Sequence, residues 1–257
     1  MSRRVRPAVR QVTRSVIGLT AVLGGWWAAV AGLGIEPFLL PGPLDVGDAF
    51  GRQWPYLAAE AGRTLGHTLG GFGIAVGSGI LVAALLAGSR LLQEMFLPIL
   101  VALQAVPKVA IAPLMIIWLG FGPASKVALV ALLCFFPVLV ATLAGLRSTP
   151  TDLVELMRSL SASRWQTQLR VRFPYAVPQI FTGLKVAVSL ALIGAVVAQI
   201  TTPNAGLGAV IVRSGQAADT PLAFAAIALL AGIGIGLYYS LVWAERLLLP
   251  WARAGVE

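Results

Sequence analysis

The chain has 257 residues, of which 58% are hydrophobic and only 11% charged, with a formal net charge of +9. A soluble domain carries about a quarter charged residues, and the apolar residues here come in runs of the ~18 or more that read as membrane spans. This excludes a soluble enzyme, and it turns the high pI of about 10.8 away from nucleic acid: the arginines sit beside apolar spans and form no continuous basic face.

MSRRVRPAVRQVTR, residues 1–14, is a basic N-terminus. SVIGLTAVLGGWWAAVAGLG reads as a first span over 15–34. It is longer than the apolar stretch of a usual signal peptide, although Ala29–Ala31 mimics a cleavage site. The following stretch holds Pro37, Pro41 and Pro43, then Asp45 and Asp48. It reads as an external loop that ends in a short surface helix.

A second span is expected over 65–88, where Gly73 and Gly77 form a GxxxG within a wider row of small residues suited to close helix contact. The third, 95–119, contains Pro98, Pro107 and Pro113. Its backbone must be kinked or interrupted, with the freed carbonyls met by neighbouring helices or a wet cavity. FGPASK is a tight turn. GFGPASKV lacks the second glycine and the Ser/Thr of a phosphate loop. A fourth span follows over 127–146, a fifth over 180–201 and a sixth over 221–246.

With the N-terminus inside, 14 of the 19 Lys and Arg fall on or near the cytoplasmic side and four outside, with Lys108 inside a span. The positive-inside rule prefers this orientation. The segment 151–174 is then cytoplasmic. Asp152 and Glu155 have capping-box spacing near Pro150. Leu153, Leu156, Met157 and Leu160 form an apolar stripe. After SAS, a second short helix carries Trp165, Leu169 and Arg172, and Pro174 and Pro178 are expected to end it before span five. Such a pair of helices is either an interfacial membrane element or a knob for a soluble partner, and composition leaves both open.

Motif spacing goes further. Glu155-Leu156-Met157, three residues, Ser161, nine residues and Val171-Arg172-Phe173-Pro174 resemble the E-A-A-x3-G-x9-I-x-L-P motif of bacterial ABC importer permeases. SASRWQTQLRVRFPYAVPQIFTGLK and PKVAIAPLMIIWLGFGPASK (107–126) are similar to patterns of the nitrate/sulfonate/taurine branch, as is NAGLGAVI. The resemblance covers roughly residues 37–251.

It implies an all-α membrane protein of about six transmembrane helices with type I ABC importer permease architecture. A single permease domain would span 15–251, with a coupling loop at 151–174 and a tail at 252–257. The resemblance also implies that Glu155, Arg158, Ser161, Ala162, Arg164, Trp165 and Pro174 belong to a coupling segment that docks on a cytoplasmic ATPase. ATP would be bound by that partner, and the permease itself needs no cofactor. Further implied partners are an extracytoplasmic substrate-binding protein, a second permease copy forming a homodimer, and the bilayer of the bacterial inner membrane. The cargo class is a small nitrogen- or sulfur-containing solute.

The chain departs from the pattern at Leu156 and Met157 (usually alanines), Ser161 (usually glycine), Gln199 (often glutamate) and His67 (commonly arginine). If the Ser161 site needs a left-handed backbone, a non-glycine residue there costs on the order of 1 kcal/mol.

Few residues offer chemistry. Cys134 lies in an apolar run and His67 is the single histidine, so neither a metal site nor a catalytic constellation is expected, and the chain is not an enzyme. Lys108, a charge at membrane depth, is a candidate for the translocation path. Gln199, with Thr201–Asn204 after it, either lines that path or bonds helices together. Trp26, Trp27, Trp54, Trp118, Trp243 and Trp251 read as interface anchors. A self-contained secondary transporter would need ionisable residues in its spans, and apart from Lys108 the expected spans offer almost none.

Overall fold

A computed structural model describes residues 5–250. Eleven α-helices follow one another: α1 (Val5–Leu33), α2 (Pro43–Arg52), α3 (Trp54–Gly88), α4 (Arg90–Gln104), α5 (Ala112–Leu119), α6 (Pro123–Arg147), α7 (Thr151–Ser159), α8 (Arg164–Thr167), α9 (Phe173–Thr201), α10 (Leu207–Gln216) and α11 (Thr220–Leu248). The tail at 252–257 and Trp251 lie outside the described residues, as do the first four residues of the basic N-terminus.

Four stretches are continuous, long and apolar enough to cross a membrane: α3, α6, α8 running into α9, and α11. The proline-rich third span is broken as expected. α4 and the Lys108–Leu119 segment pass as one span only together, bent by 82°. Pro107 starts a 3-10 turn at the break and Pro113 sits in the first turn of α5, where its missing N–H costs nothing. α1 is one helix of 29 residues whose apolar described part is Thr20–Leu33.

The centre is a three-helix packing of α3, α6 and α9, with α11 laid against α9. α3 and α6 run parallel: Gly71 meets Val127 and Val130, and Gly79 meets Val138. α9 runs antiparallel to both, since Gly145 meets Ala176 and Gly194 meets Val130. Lipid tails are as apolar as leucine, so such helices associate through close van der Waals contact between small residues. At Gly71 an added Cβ would lie 2.6 Å from the Val127 carbonyl oxygen, so only glycine permits this approach. The row that makes the contact is Gly71, Ala75, Gly79 and Ala83, all buried.

The sequence-expected GxxxG of Gly73 and Gly77 is not that row. Both are exposed, with no atom near an added Cβ. Two positions along a helix turn the face by ~200°, so Gly73 and Gly77 point away from the seam. The outward surface of the spans is instead large and apolar, with Ile74, Leu81, Leu85 and Ile117 exposed, as lipid-facing positions require.

A second correction concerns the start of span five. Pro174 and Pro178 do not end a helix. The chain is helical from Arg164 to Thr201 without interruption. A π-helical turn at Gln168–Arg172 widens the backbone just before Pro174, and the Phe173 N–H reaches back five residues to the Gln168 carbonyl. The widened turn accommodates a proline ring that would clash in a regular helix.

Candidate functional site

Two places concentrate polar side chains, at opposite ends of the bundle. The first is the end that carries α7. α7 starts after Pro150, which has no side-chain acceptor, and the expected Asp152/Glu155 capping box does not form. The box forms one helix later: the Ser163 N–H donates to Gln166 Oε1 at 2.8 Å, and the Gln166 N–H donates to Ser163 Oγ at 3.2 Å. Asp152 sits in the first turn of α7, where its charge favours the positive end of the helix dipole.

Between α7 and α8 the backbone makes a Schellman turn. The Ser161 N–H donates to the Arg158 carbonyl and the Ala162 N–H to the Met157 carbonyl, both at 2.9 Å. Ser161 has φ +58. It occupies the left-handed position that glycine usually fills, and the turn is made in spite of the serine.

This turn and cap fix the direction of the side chains around them. Leu156, Leu160, Trp165 and Leu169 are all exposed, Trp165 by 67%. Arg158, Arg164 and Glu155 are exposed beside them, as are Ser161 and Pro174, while Ala162 is half-buried. A cavity of about 580 Å³ opens next to α7, lined by Arg90, Glu94, Arg147, Glu155, Arg158 and Arg172 among others.

The second place is the end that carries α10, where the sequence points to Gln199 and Asn204 but not to Glu60, Thr64 or Lys126. Glu60 on α3 is 3% exposed. Its carboxylate accepts the Gly206 N–H and an Arg63 Nη1 bond of 2.8 Å, and Arg213 lies 3.8 Å away. Thr64 accepts the Leu207 N–H at 2.8 Å. Lys126, 2% exposed, donates to Asn204 Oδ1 and to the Ala205 carbonyl, and Asn204 in turn donates to the Phe121 carbonyl at 2.9 Å. The loop from α9 into α10 is thus bonded side chain by side chain to α3 and α6. Gly206, at φ +99, lies against the Gln199 amide and leaves no room for a Cβ.

Gln199 is wholly buried in this network. Its Oε1 accepts the Gly208 N–H at 3.0 Å and lies 3.1 Å from Thr64 Oγ1. Its Nε2 lies 3.3 Å from His67 Nδ1. The structure thereby places Gln199 among interhelical bonds, one of the two roles open to it. Two of the departures from the family pattern, His67 and Gln199, are therefore neighbours across α3 and α9.

Lys108 stands apart from both ends, at the break between α4 and α5. It is half-buried, donates to the Gln104 carbonyl at 3.1 Å and lies 4.8 Å from the Phe136 ring centre. The spans hold more charge than expected from the sequence. Glu60 and Lys126 lie within membrane helices, and Lys185 on α9 pairs with Glu245 on α11 at 2.5 Å. All are partnered, the arrangement buried charges need.

Comparison with known proteins identifies the arrangement. Residues 75–254 match the family described as binding-protein-dependent transport system inner membrane component. The chain is 38% identical to the riboflavin transport system permease protein RibX of Chloroflexus aurantiacus, over 96% of each. It is 34% identical to the formylaminopyrimidine transport permease protein ThiX of Halalkalibacterium halodurans, over 88% of this chain and 91% of that one. With the taurine transport system permease protein TauC of Escherichia coli it shares 33% identity over 97% and 94%. A crystal structure of an amino acid ABC transporter has the same fold, with a TM-score of 0.58 at 19% identity, covering 77% of this chain and 94% of that one. The chain therefore belongs to the family of binding-protein-dependent transport system inner membrane components, and is a membrane permease subunit of an ABC importer rather than an enzyme.

Proposed function

We propose that α7, the Ser161 turn and α8 form the coupling knob of this permease. It would face the cytoplasm and seat in a cleft of the partner ATPase, with the N-terminus on the same side. The observation that carries this is the row of exposed apolar side chains, Leu156, Leu160, Trp165 and Leu169, held on a capped, hydrogen-bonded turn. Apolar side chains that point away from the bundle on a rigid support are the anatomy of an interface core. Arg158, Arg164 and Glu155 around them supply orientation. ATP would be bound by the ATPase alone. Closure of two ATPases would pull two knobs together and switch the spans between inward- and outward-open states.

Two copies of this chain would form the pathway as a homodimer, and a substrate-binding protein would deliver cargo at the α10 end. Lys108 is the residue we place on the path, at the span that is bent by 82° between α4 and α5. Relatives named for riboflavin, formylaminopyrimidine and taurine support a small nitrogen- or sulfur-containing solute of the nitrate, alkanesulfonate, taurine or pyrimidine-precursor type.

The test is co-purification in detergent of this chain with its ATPase, as wild type and as Glu155→Lys plus Arg164→Glu. Wild type retaining the ATPase and the double variant losing it, while still eluting as a folded membrane protein, is the expected result. Equal retention by both would make the segment an interfacial helix.

A further inference from the structure

Behind the knob, on the side turned to the bundle, lies a smaller cleft of about 250 Å³. It is bounded by the C-terminal end of α3 (Ala87, Gly88), by Val154 and Arg158 on α7, and by Arg164, Thr167, Gln168 and Arg172. Three arginines line it and no carboxylate does. None of the three takes part in an ion pair among the described residues. Glu94 and Glu155 line the larger adjoining cavity, which shares Arg158 and Arg172 with the cleft, and Glu94 is held by Arg90 at 2.8 Å. Arg172 spends one N–H on the Ala87 carbonyl, at 3.3 Å, which leaves most of its fork free. Gln168 is 7% exposed, and its Nε2 is buried without any acceptor. A buried amide donor left unpaired is costly. The cleft is smaller than the roughly 300–1,000 Å³ of pockets that enclose a whole small molecule. A cationic cleft of this size with a spare amide donor suits one compact oxyanion.

We infer that this cleft is a binding site for a phosphate-type oxyanion, either the headgroup of an anionic lipid or a free phosphate. Forked arginine donors match phosphate geometry. The cleft lies at the end of α3, where a span leaves the apolar layer and basic groups meet headgroups. The site shares Arg158 and Arg164 with the proposed knob, but Trp165 is not among its lining residues, and the bound anion would brace α7 against α3.

The experiment uses the purified full chain in detergent, followed by native mass spectrometry during titration with phosphatidylglycerol or phosphatidylcholine. A second arm measures Tm with inorganic phosphate against chloride at matched ionic strength. Wild type should retain phosphatidylglycerol in preference to phosphatidylcholine. Arg172→Gln and Gln168→Glu should each weaken that retention roughly tenfold, the loss of one charge-assisted bond or its replacement by repulsion. Arg90→Gln, across the neighbouring cavity, should leave it unchanged. Gln168→Glu touches no bond to α3, so it stays informative if Arg172→Gln fails to fold. A phosphate-dependent rise in Tm that also displaces the lipid assigns the site to the free anion; lipid retention without it assigns the headgroup. Binding of neither probe, or equal binding by wild type and both variants, would overturn the site. So would loss of the lipid signal on adding the ATPase, which would give the cleft to the protein interface. Failure of the ATPase co-purification alone would leave the anion site standing.

Discussion

The α10 end and the α7 end hold similar side chains in opposite states. At the α10 end, Glu60, Thr64, Lys126 and Gln199 are nearly or wholly buried and bonded to one another's helices or to backbone N–H and carbonyl groups. At the α7 end, Glu155, Arg158, Arg164 and Trp165 are exposed, and those charges make no ion pair among the described residues. One end is closed upon itself and contributes to the stability of the chain. The other is left open and has its energy to give to something outside. A polar group buried in a bundle must be satisfied from within, whereas one on a knob can wait for a partner.

The comparison breaks first at Glu60. Glu60→Ala removes the acceptor of the Gly206 N–H and strips a partner from Arg63. Stability in micelles should fall by about 2–3 kcal/mol, the cost of a buried N–H left without its acceptor, read by chemical or thermal unfolding, with α10 the first part to lose protection in hydrogen exchange. A loss under 1 kcal/mol would mean that the network is decoration.

Trp165→Ala should show the opposite pattern. It should weaken ATPase binding by about 2 kcal/mol or more, as truncation of a buried interface anchor does, while the unfolding midpoint of the free permease stays put. A fall in that midpoint would mean that Trp165 serves the permease's own fold.

Next in size is the seam that joins the two ends. Gly71→Ala puts a methyl into the space of Val130 and the Val127 carbonyl. It should destabilise by about 1–3 kcal/mol, whereas Gly73→Ala, on the open side, should be neutral or slightly stabilising. Equal effects would contradict the seam.

The smallest effect sharpens the turn. Ser161→Gly removes a Cβ from a left-handed position and should stabilise the α7–α8 turn by about 1 kcal/mol or less. Amide exchange around Ala162 should slow accordingly. Faster exchange would show that the serine side chain, not the backbone, holds the turn.

Much of this was legible in the residues because membrane physics writes long signals. A run of apolar residues has to be helical in lipid, where no water satisfies the backbone. The long apolar spans, an interruption in the proline-rich third span and the pair of short helices between spans four and five followed from local pattern. The left-handed demand at Ser161 could be stated as a condition, because motif spacing put a serine at a glycine site. The errors were local too. The Asp152/Glu155 spacing suggested a cap, but a cap depends on which residue precedes the helix, and that was Pro150. Pro174 has the look of a helix stop because the π turn before it leaves no mark in composition.

What only the tertiary structure decided is which residues meet. Glu60 and Gly206 are 146 positions apart, Lys126 and Asn204 78. Lys126 looked like a turn residue and is buried; Gly73 and Gly77 looked like a seam and face outward. The sequence by itself determined that the chain crosses a membrane as helices and carries a pair of short helices between two spans, because those properties are set by a residue and its near neighbours. The choice of helix faces, the partners of the buried charges and the anion-sized cleft behind α7 depend on the relative rotation of helices far apart in the chain, which side-chain contact across the bundle fixes.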